Sequence, residues 1–342
     1  MQIKRKWFNK EGKYTLRALG LGLITGAADD DPSAIGTYAS AGAKFGPSFL
    51  WMAPVTFPMM CAVVYLSAKL GQVVGKGLFD VIKDRYPRWI LYPALVGVLI
   101  GNIVEAGADI GGMAAGVNLL VPIPIRILIL PIALSILLLQ LFGSYELIRN
   151  IFRWLALALL TYVGSAILAK PQLWPVIKGT LIPTIQFNRE FLSMLVAVIG
   201  TTLSAYLYTW QSNEEVEEKI AKGRVHLFER RGSTRAELSK TRWDTVVGMF
   251  FSNVVMYFIV LSTAATLFKS GQTDVNSAAQ AAQSLRPLAG NAAGVLFAAG
   301  VIGVGFLAIP VMTTGAAYDL CQTLGWENGL TQSRARLNAF IS

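Results

Sequence analysis

The sequence predicts an all-α fold: a polytopic membrane bundle of about eight spanning helices, with a break inside the bilayer in the first. Three observations lead there. Hydrophobic residues make up 54% of the 342-residue chain and charged residues only 15%, against about 25% charged in soluble domains, and mean hydropathy is +0.52. Apolar stretches of about 20 residues, enough to cross a bilayer core, recur along the chain. Three consecutive aspartates and a proline, Asp29-Asp30-Asp31-Pro32, interrupt the first of them.

The first stretch covers about 15–43 and is interrupted at 29–34. A carboxylate at bilayer depth costs about 2.5–3.5 kcal/mol on insertion scales, so three facing lipid would cost on the order of 8–10 kcal/mol. Pro32 lacks a backbone donor and pushes Asp31 out of helical geometry. Each arm is too short to cross alone, so together they read as one crossing with a polar break at its middle. The alternative is an extramembrane loop in which an aspartate caps the next helix. Further stretches cover about 48–71, 89–120, 124–143, 147–169, 191–211, 243–268 and 290–320.

Orientation follows from the loops. Lys4, Arg5, Lys6, Lys10, Lys13 and Arg17 precede the first span, and the gaps after the second, fourth and sixth are rich in Lys and Arg. This positive-inside pattern puts the N-terminus in the cytoplasm, and a bacterial-type plasma (inner) membrane is the expected location. It also accounts for the net charge of +10 without nucleic acid as a partner; membrane lipid is the expected surrounding, and the oligomeric state is left open. Residues 212–243 read as a cytoplasmic loop with a short helix of solvated charge pairs, and 273–289 as a short outer helix. Cys61, Cys321 and the single histidine His226 have no metal or disulfide spacing. Without an intramembrane zinc motif, a serine–histidine pair or a phosphate loop, the chain is not expected to be an enzyme, and no prosthetic group is implied.

The residues able to carry chemistry are few. Asp31 leads: an ionised carboxylate beside carbonyls freed by the break, such as that of Ala28, makes a hard-oxygen site for Mg²⁺, Ca²⁺ or Mn²⁺. Gly200-Thr201-Thr202-Leu203-Ser204, in the middle of the sixth span, reads either as a second break offering neutral oxygens or as helix packing by small residues. The sixth span lies five after the first. A repeat of five crossings must be inverted in its second copy, which sets the two interrupted spans face to face at mid-membrane. Repeat one is then about 12–170, and a partial repeat two about 189–342, within one membrane domain. Glu105 and Asp109, four residues apart on one helical face, read with Asp29 and Asp30 as an ion or proton pathway, and Asn102 extends their stripe. Asp319, Tyr206, Tyr208 and Gln211 read as interfacial structure or as the lining of a cytoplasmic vestibule.

The segment GLGLITGAADDDPSAIGTYASAGAKFG, and GKGLFDVIKDRYP after the second span, resemble the NRAMP family of divalent-metal transporters. The resemblance implies a leucine-transporter-like inverted repeat of five plus five helices, usually with an eleventh, and inward carriage of Mn²⁺ or Fe²⁺. Asp31 matches the metal-binding aspartate and Pro32 the break. Ser33 and Ala34 stand where the family has glycine and asparagine. Gly200 to Ala205 stand where it has an Ala-x-x-Met-Pro-His stretch, and Trp210 replaces a later histidine. With the soft thioether missing, discrimination against Mg²⁺ falls, and the likeness is nearest to the NRAMP-related magnesium transporters. Eight spans leave the second repeat two helices short of the family.

The expected function is secondary transport of a divalent cation, Mg²⁺ or Mn²⁺, by alternating access, with the ion held by Asp31, by carbonyls near Ala28 and Gly200, and by the Thr201 or Thr202 hydroxyl. The alternatives are an amino-acid or other small-solute symporter on the same fold, disfavoured because three acids repel a substrate carboxylate, and a non-transporting membrane partner.

Overall fold

The computed structural model describes residues 21–142, 160–275, 277–282, 291–327 and 329. The first interrupted span is two helices, α1 (Leu21–Asp29) and α2 (Pro32–Phe45). Asp31 is the N-cap of α2, extended at φ −61° and ψ 166°, with Pro32 at the first helical position. There the missing N–H removes no helical bond and the ring presets φ. α2 stops at Gly46, whose φ of +60° favours glycine. A 3-10 turn, Gly46–Phe49, leads into α3 (Met52–Val74).

A short helix α4 (Leu78–Arg85) precedes the long α5 (Arg88–Leu120), followed by α6 (Ile125–Phe142). Helices α7 (Leu160–Leu168) and α8 (Leu173–Leu181) lead to the second interrupted pair, α9 (Arg189–Thr202) and α10 (Ala205–Ala221). Then come α11 (Leu227–Arg230), α12 (Arg235–Thr263), continued by a π turn at Ala264–Phe268, and α13 (Asn291–Leu324). Thr234 and Glu237 start α12 with a reciprocal capping box.

Five helical segments are long and apolar enough to cross a membrane: Met52–Val74, Arg88–Leu120, Arg189–Ala221 taken through its break, Arg235–Phe268 and Gly294–Leu324. They coincide with five of the predicted stretches, while Ile125–Phe142 and the broken pair α1–α2 fall on two more. Part of the remaining stretch, 147–169, lies outside the described residues, as do the basic N-terminus and most of the tail. Of the predicted outer helix at 273–289, residues 273–275 and 277–282 are described, and only 278–282 are helical.

Burial ranks the helices. The best apolar window of Gly294–Leu324 is 72% buried, that of Arg88–Leu120 only 22%, so α13 runs through the centre and α5 turns one side outward. The exposed Ile100, Ile103, Val104, Leu130 and Leu134 of α5 and α6 make that outer surface apolar, as a lipid-facing surface requires. The main core gathers side chains from α1, α2, α7, α9, α10, α12 and α13.

α1 lies against α12 with almost no side chain between them. A Cβ on Gly26 would fall on the Gly248 carbonyl, and one on Gly248 on the Gly22 carbonyl. Glycine is what lets two backbones come this close.

The expectation for 212–243 is corrected. α10 continues unbroken to Ala221, and Glu214, Glu215, Glu217 and Lys219 are buried rather than solvated. Partners distant in sequence make this affordable. The Gln72 and Gln211 amides donate to Glu215, and the Lys219 ammonium donates to the carbonyls of Gln72, Arg230 and Gly232. Solvated ion pairs begin only near the end of this helix, at Lys222–Glu218 and Arg224–Glu237.

Candidate cation site between two broken helices

The triplet is fully buried: Asp29, Asp30 and Asp31 are each 0% exposed. It is therefore not set out in solvent, and Asp31 caps α2. Asp31 Oδ1 accepts from the Ala34 amide and the Ser33 hydroxyl, both at 2.7 Å. Its Oδ2 lies 3.0 Å from the Tyr206 hydroxyl, which is also 2.6 Å from the Ala28 carbonyl. A phenol has one proton, so Tyr206 donates to one of these two oxygens at a time.

Tyr206 begins the second half of the other interrupted span. α9 ends at Thr202, and Leu203 and Ser204 separate it from α10. Tyr206 thus ties the second break to both the carboxylate and the free carbonyl of the first. The second break thus lies at the C-terminal end of the predicted Gly200–Ser204 run, with Gly200, Thr201 and Thr202 still helical. Gly200 lies inside α9, exposed, and an added Cβ there would meet nothing within 4 Å. Two residues of helix turn the chain by about 200°, which sets Gly200 on the face opposite the buried Thr202. The Thr202 hydroxyl donates to the Val198 carbonyl at 2.6 Å and lies 3.1 Å from the Tyr38 hydroxyl. The Thr201 carbonyl accepts from Ser204 Oγ at 2.9 Å.

α5 supplies the third wall. Asp109 is fully buried, and its Oδ1 accepts from the Ser33 amide at 3.0 Å. Glu105, one turn earlier, stands beside Asp31 and lies 3.5 Å from Ser204 Oγ. The predicted pair therefore flanks the break. Asn102, the next turn along, is buried with its amide nitrogen unpartnered. On the opposite side, Ser252 of α12 donates to Asp29 Oδ2 at 2.6 Å.

The chemistry of this cluster suits a cation. Asp29 Oδ1, both oxygens of Asp30, and Asp109 Oδ2 are buried without a hydrogen-bond partner. The ion pairs among the described residues, Lys44–Glu190, Lys76–Asp84, Lys222–Glu218 and Arg224–Glu237, include none of these acids. Buried carboxylates without a counter-charge need a proton or a cation. The atoms that hydrogen-bond Asp31 are oxygens and one backbone nitrogen, with no sulfur or imidazole. Leu203, where a thioether was expected to be missing, packs instead on Met60, Val64 and Met249. Among the described residues no three acidic, histidine or cysteine side chains converge as a metal-holding group.

Tyr206, Ser204 and Ser252 are the members that the sequence left weak or unmarked. Tyr206 carried a usable signal: a hydroxyl two residues beyond a break. Ser252 carried none, because its partner is 223 residues away.

An all-α bundle whose two discontinuous helices meet at a buried carboxylate has the organisation of a leucine-transporter-like membrane carrier. Residues 22–342 match the family described as natural resistance-associated macrophage protein-like, and the chain belongs to this Nramp family. A protein named divalent metal cation transporter MntH, from Klebsiella pneumoniae subsp. pneumoniae, is 30% identical over 305 residues, covering 88% of this chain and 71% of its own. The protein of that name from Klebsiella pneumoniae strain 342 is 29% identical over 305 residues, with the same coverage. Among solved structures, the Eremococcus coleocola manganese transporter with an aromatic bis-isothiourea compound superposes with a TM-score of 0.77 at 21% identity, over 96% of this chain and 70% of that one. A mutant of that transporter gives 0.76 at 20% identity, over 93% and 67%.

Proposed function

We propose that this chain carries a hard divalent cation, Mg²⁺ or Mn²⁺, across the plasma membrane by alternating access, with its N-terminus in the cytoplasm. The observation that carries the reading is the meeting of the two breaks: a buried Asp31 carboxylate and the Ala28 carbonyl, bridged by Tyr206 from the second interrupted helix. Asp31 supplies the charge, and the Ala28 carbonyl and the oxygens at the α9 end supply neutral ligands. Ser204 and Thr202 lie nearer that role than Gly200. Water completes the shell, as Mg²⁺ requires because it dehydrates reluctantly. The relatives named for divalent metal and manganese support the substrate class, and the all-oxygen surroundings support tolerance of Mg²⁺. Asp29, Asp30, Glu105 and Asp109 hold the surrounding negative charge and are the groups available to move protons.

The test is uptake into proteoliposomes loaded with a Mg²⁺- or Mn²⁺-sensitive dye. Wild-type chain should transport, and Asp31→Ala should reduce the rate to that of empty liposomes. Undiminished uptake by the variant would refute the assignment.

A further inference from the structure

We propose that Asp319 anchors a second cation-binding position, on the cytoplasmic side of Asp31, in the seam between α10 and α13. Asp319 is 0% exposed, and among the described residues neither of its carboxylate oxygens makes a hydrogen bond of good geometry, although the Thr209 side chain beside it can donate one. Among the described residues it belongs neither to the cluster at the first break nor to an ion pair. A carboxylate buried in this way needs a proton or a cation.

The surroundings say which kind. Tyr206, Thr209, Asn213 and Glu217 are spaced three or four apart and so share one face of α10. Each meets a polar group in turn. Tyr206 meets Asp31. Thr209 is the polar side chain beside Asp319. Asn213 accepts from the Gln322 amide at 2.6 Å, and Glu217 accepts from the Tyr318 hydroxyl at 2.9 Å. These partners lie on α13 from Tyr318 onward, so one polar seam descends from the first break between α10 and α13. At Gly315 the seam has no side chain to block it: an added Cβ would stand 3.6 Å from the Thr209 hydroxyl and 3.8 Å from the Tyr206 carbonyl.

The seam opens into a cavity of about 180 Å³ whose charged lining is Asp80, Glu217, Lys76 and Arg230, with Asn213 and Gln322 beside them. At about 30 Å³ per water, that is room for a partly hydrated ion. The Thr209 hydroxyl donates to the Tyr206 carbonyl at 3.2 Å, which leaves its oxygen free to act as a ligand. A carboxylate and a hydroxyl with water nearby form a hard-oxygen site for a divalent cation. Rising by 1.5 Å per residue, α10 sets Thr209 roughly 4.5 Å below Tyr206 along the helix. Asp319, beside Thr209, therefore stands one helical turn further along α10 than Tyr206, between Asp31 and the cavity. This second position rests on the reading of Asp31 as the first site.

The test counts Mn²⁺ bound to the purified full chain in detergent by electron paramagnetic resonance. Wild-type chain should bind two ions at saturation, and Asp319→Asn and Asp31→Ala one each. A single ion in wild type, or two retained by Asp319→Asn, overturns the second site and leaves Asp31 untouched. Two ions retained by Asp31→Ala overturns the first site instead. Should Asp319→Asn fail to fold, Thr209→Val decides: the second ion should bind at least tenfold more weakly, and unchanged affinity overturns the proposal.

Discussion

Removing the Tyr206 hydroxyl separates two roles for that side chain. In the structure the phenol occupies the two oxygens that a cation would use, the Ala28 carbonyl at 2.6 Å and Asp31 Oδ2 at 3.0 Å. A cation binding to both must displace it. A hydrogen bond to a charged group contributes about 1.5–3 kcal/mol, and about 1.4 kcal/mol is a factor of ten in affinity. Tyr206→Phe relieves the cation of that competition while keeping the ring, which is fully buried. Mn²⁺ should therefore bind about ten- to a hundredfold more tightly, read by calorimetry on the purified chain. Transport should slow at saturating ion, because the tighter site releases more slowly. Weaker binding in the variant would refute this reasoning, since it would make the hydroxyl a ligand rather than a competitor.

Other expectations follow from packing and charge. Gly26→Ala places a methyl on the Gly248 carbonyl and should cost about 1–3 kcal/mol of overpacking, seen as a lower melting temperature in detergent. Gly200→Ala is its counterpart: with nothing within 4 Å, it should leave uptake at the wild-type rate and add up to about 1 kcal/mol of helix stability. Asp80, in the cytoplasmic cavity, is pushed above the usual carboxylate range by burial, with Lys76 the first of the groups that oppose the rise. A carboxyl raised on folding favours the folded state at acidic pH and loses that contribution as pH climbs through its raised value. Asp80→Asn should accordingly raise the melting temperature more at pH 7 than at pH 4, and a larger gain at pH 4 would contradict the assignment.

Much of the bundle could be read from composition because bilayer length and the cost of buried charge leave few choices. Asp29-Asp30-Asp31-Pro32 announced the first break, and the structure parts α1 from α2 there. The spacing of Glu105 and Asp109 announced a shared face, and that face flanks the break. The second break falls within the predicted Gly200–Ser204 run, at Leu203 and Ser204, but the run could not say which of its residues stays helical, because a glycine-threonine stretch reads equally as helix packing. The acidic run of α10 misled for a different reason. Charge density normally signals solvent, but Glu215 and Lys219 are satisfied by Gln72 and by carbonyls of the following loop, contacts that no local pattern records. Tyr206 was undervalued because an aromatic near a helix end usually marks an interface.

The most direct test of the account is the position of the ion. Crystals of the full chain grown with Mn²⁺ and measured at the manganese absorption edge should show an anomalous peak within coordination distance of the Asp31 carboxylate and the Ala28 carbonyl, with Tyr206 turned aside. Bound manganese in the crystal with no peak between the α1–α2 and α9–α10 breaks would contradict it.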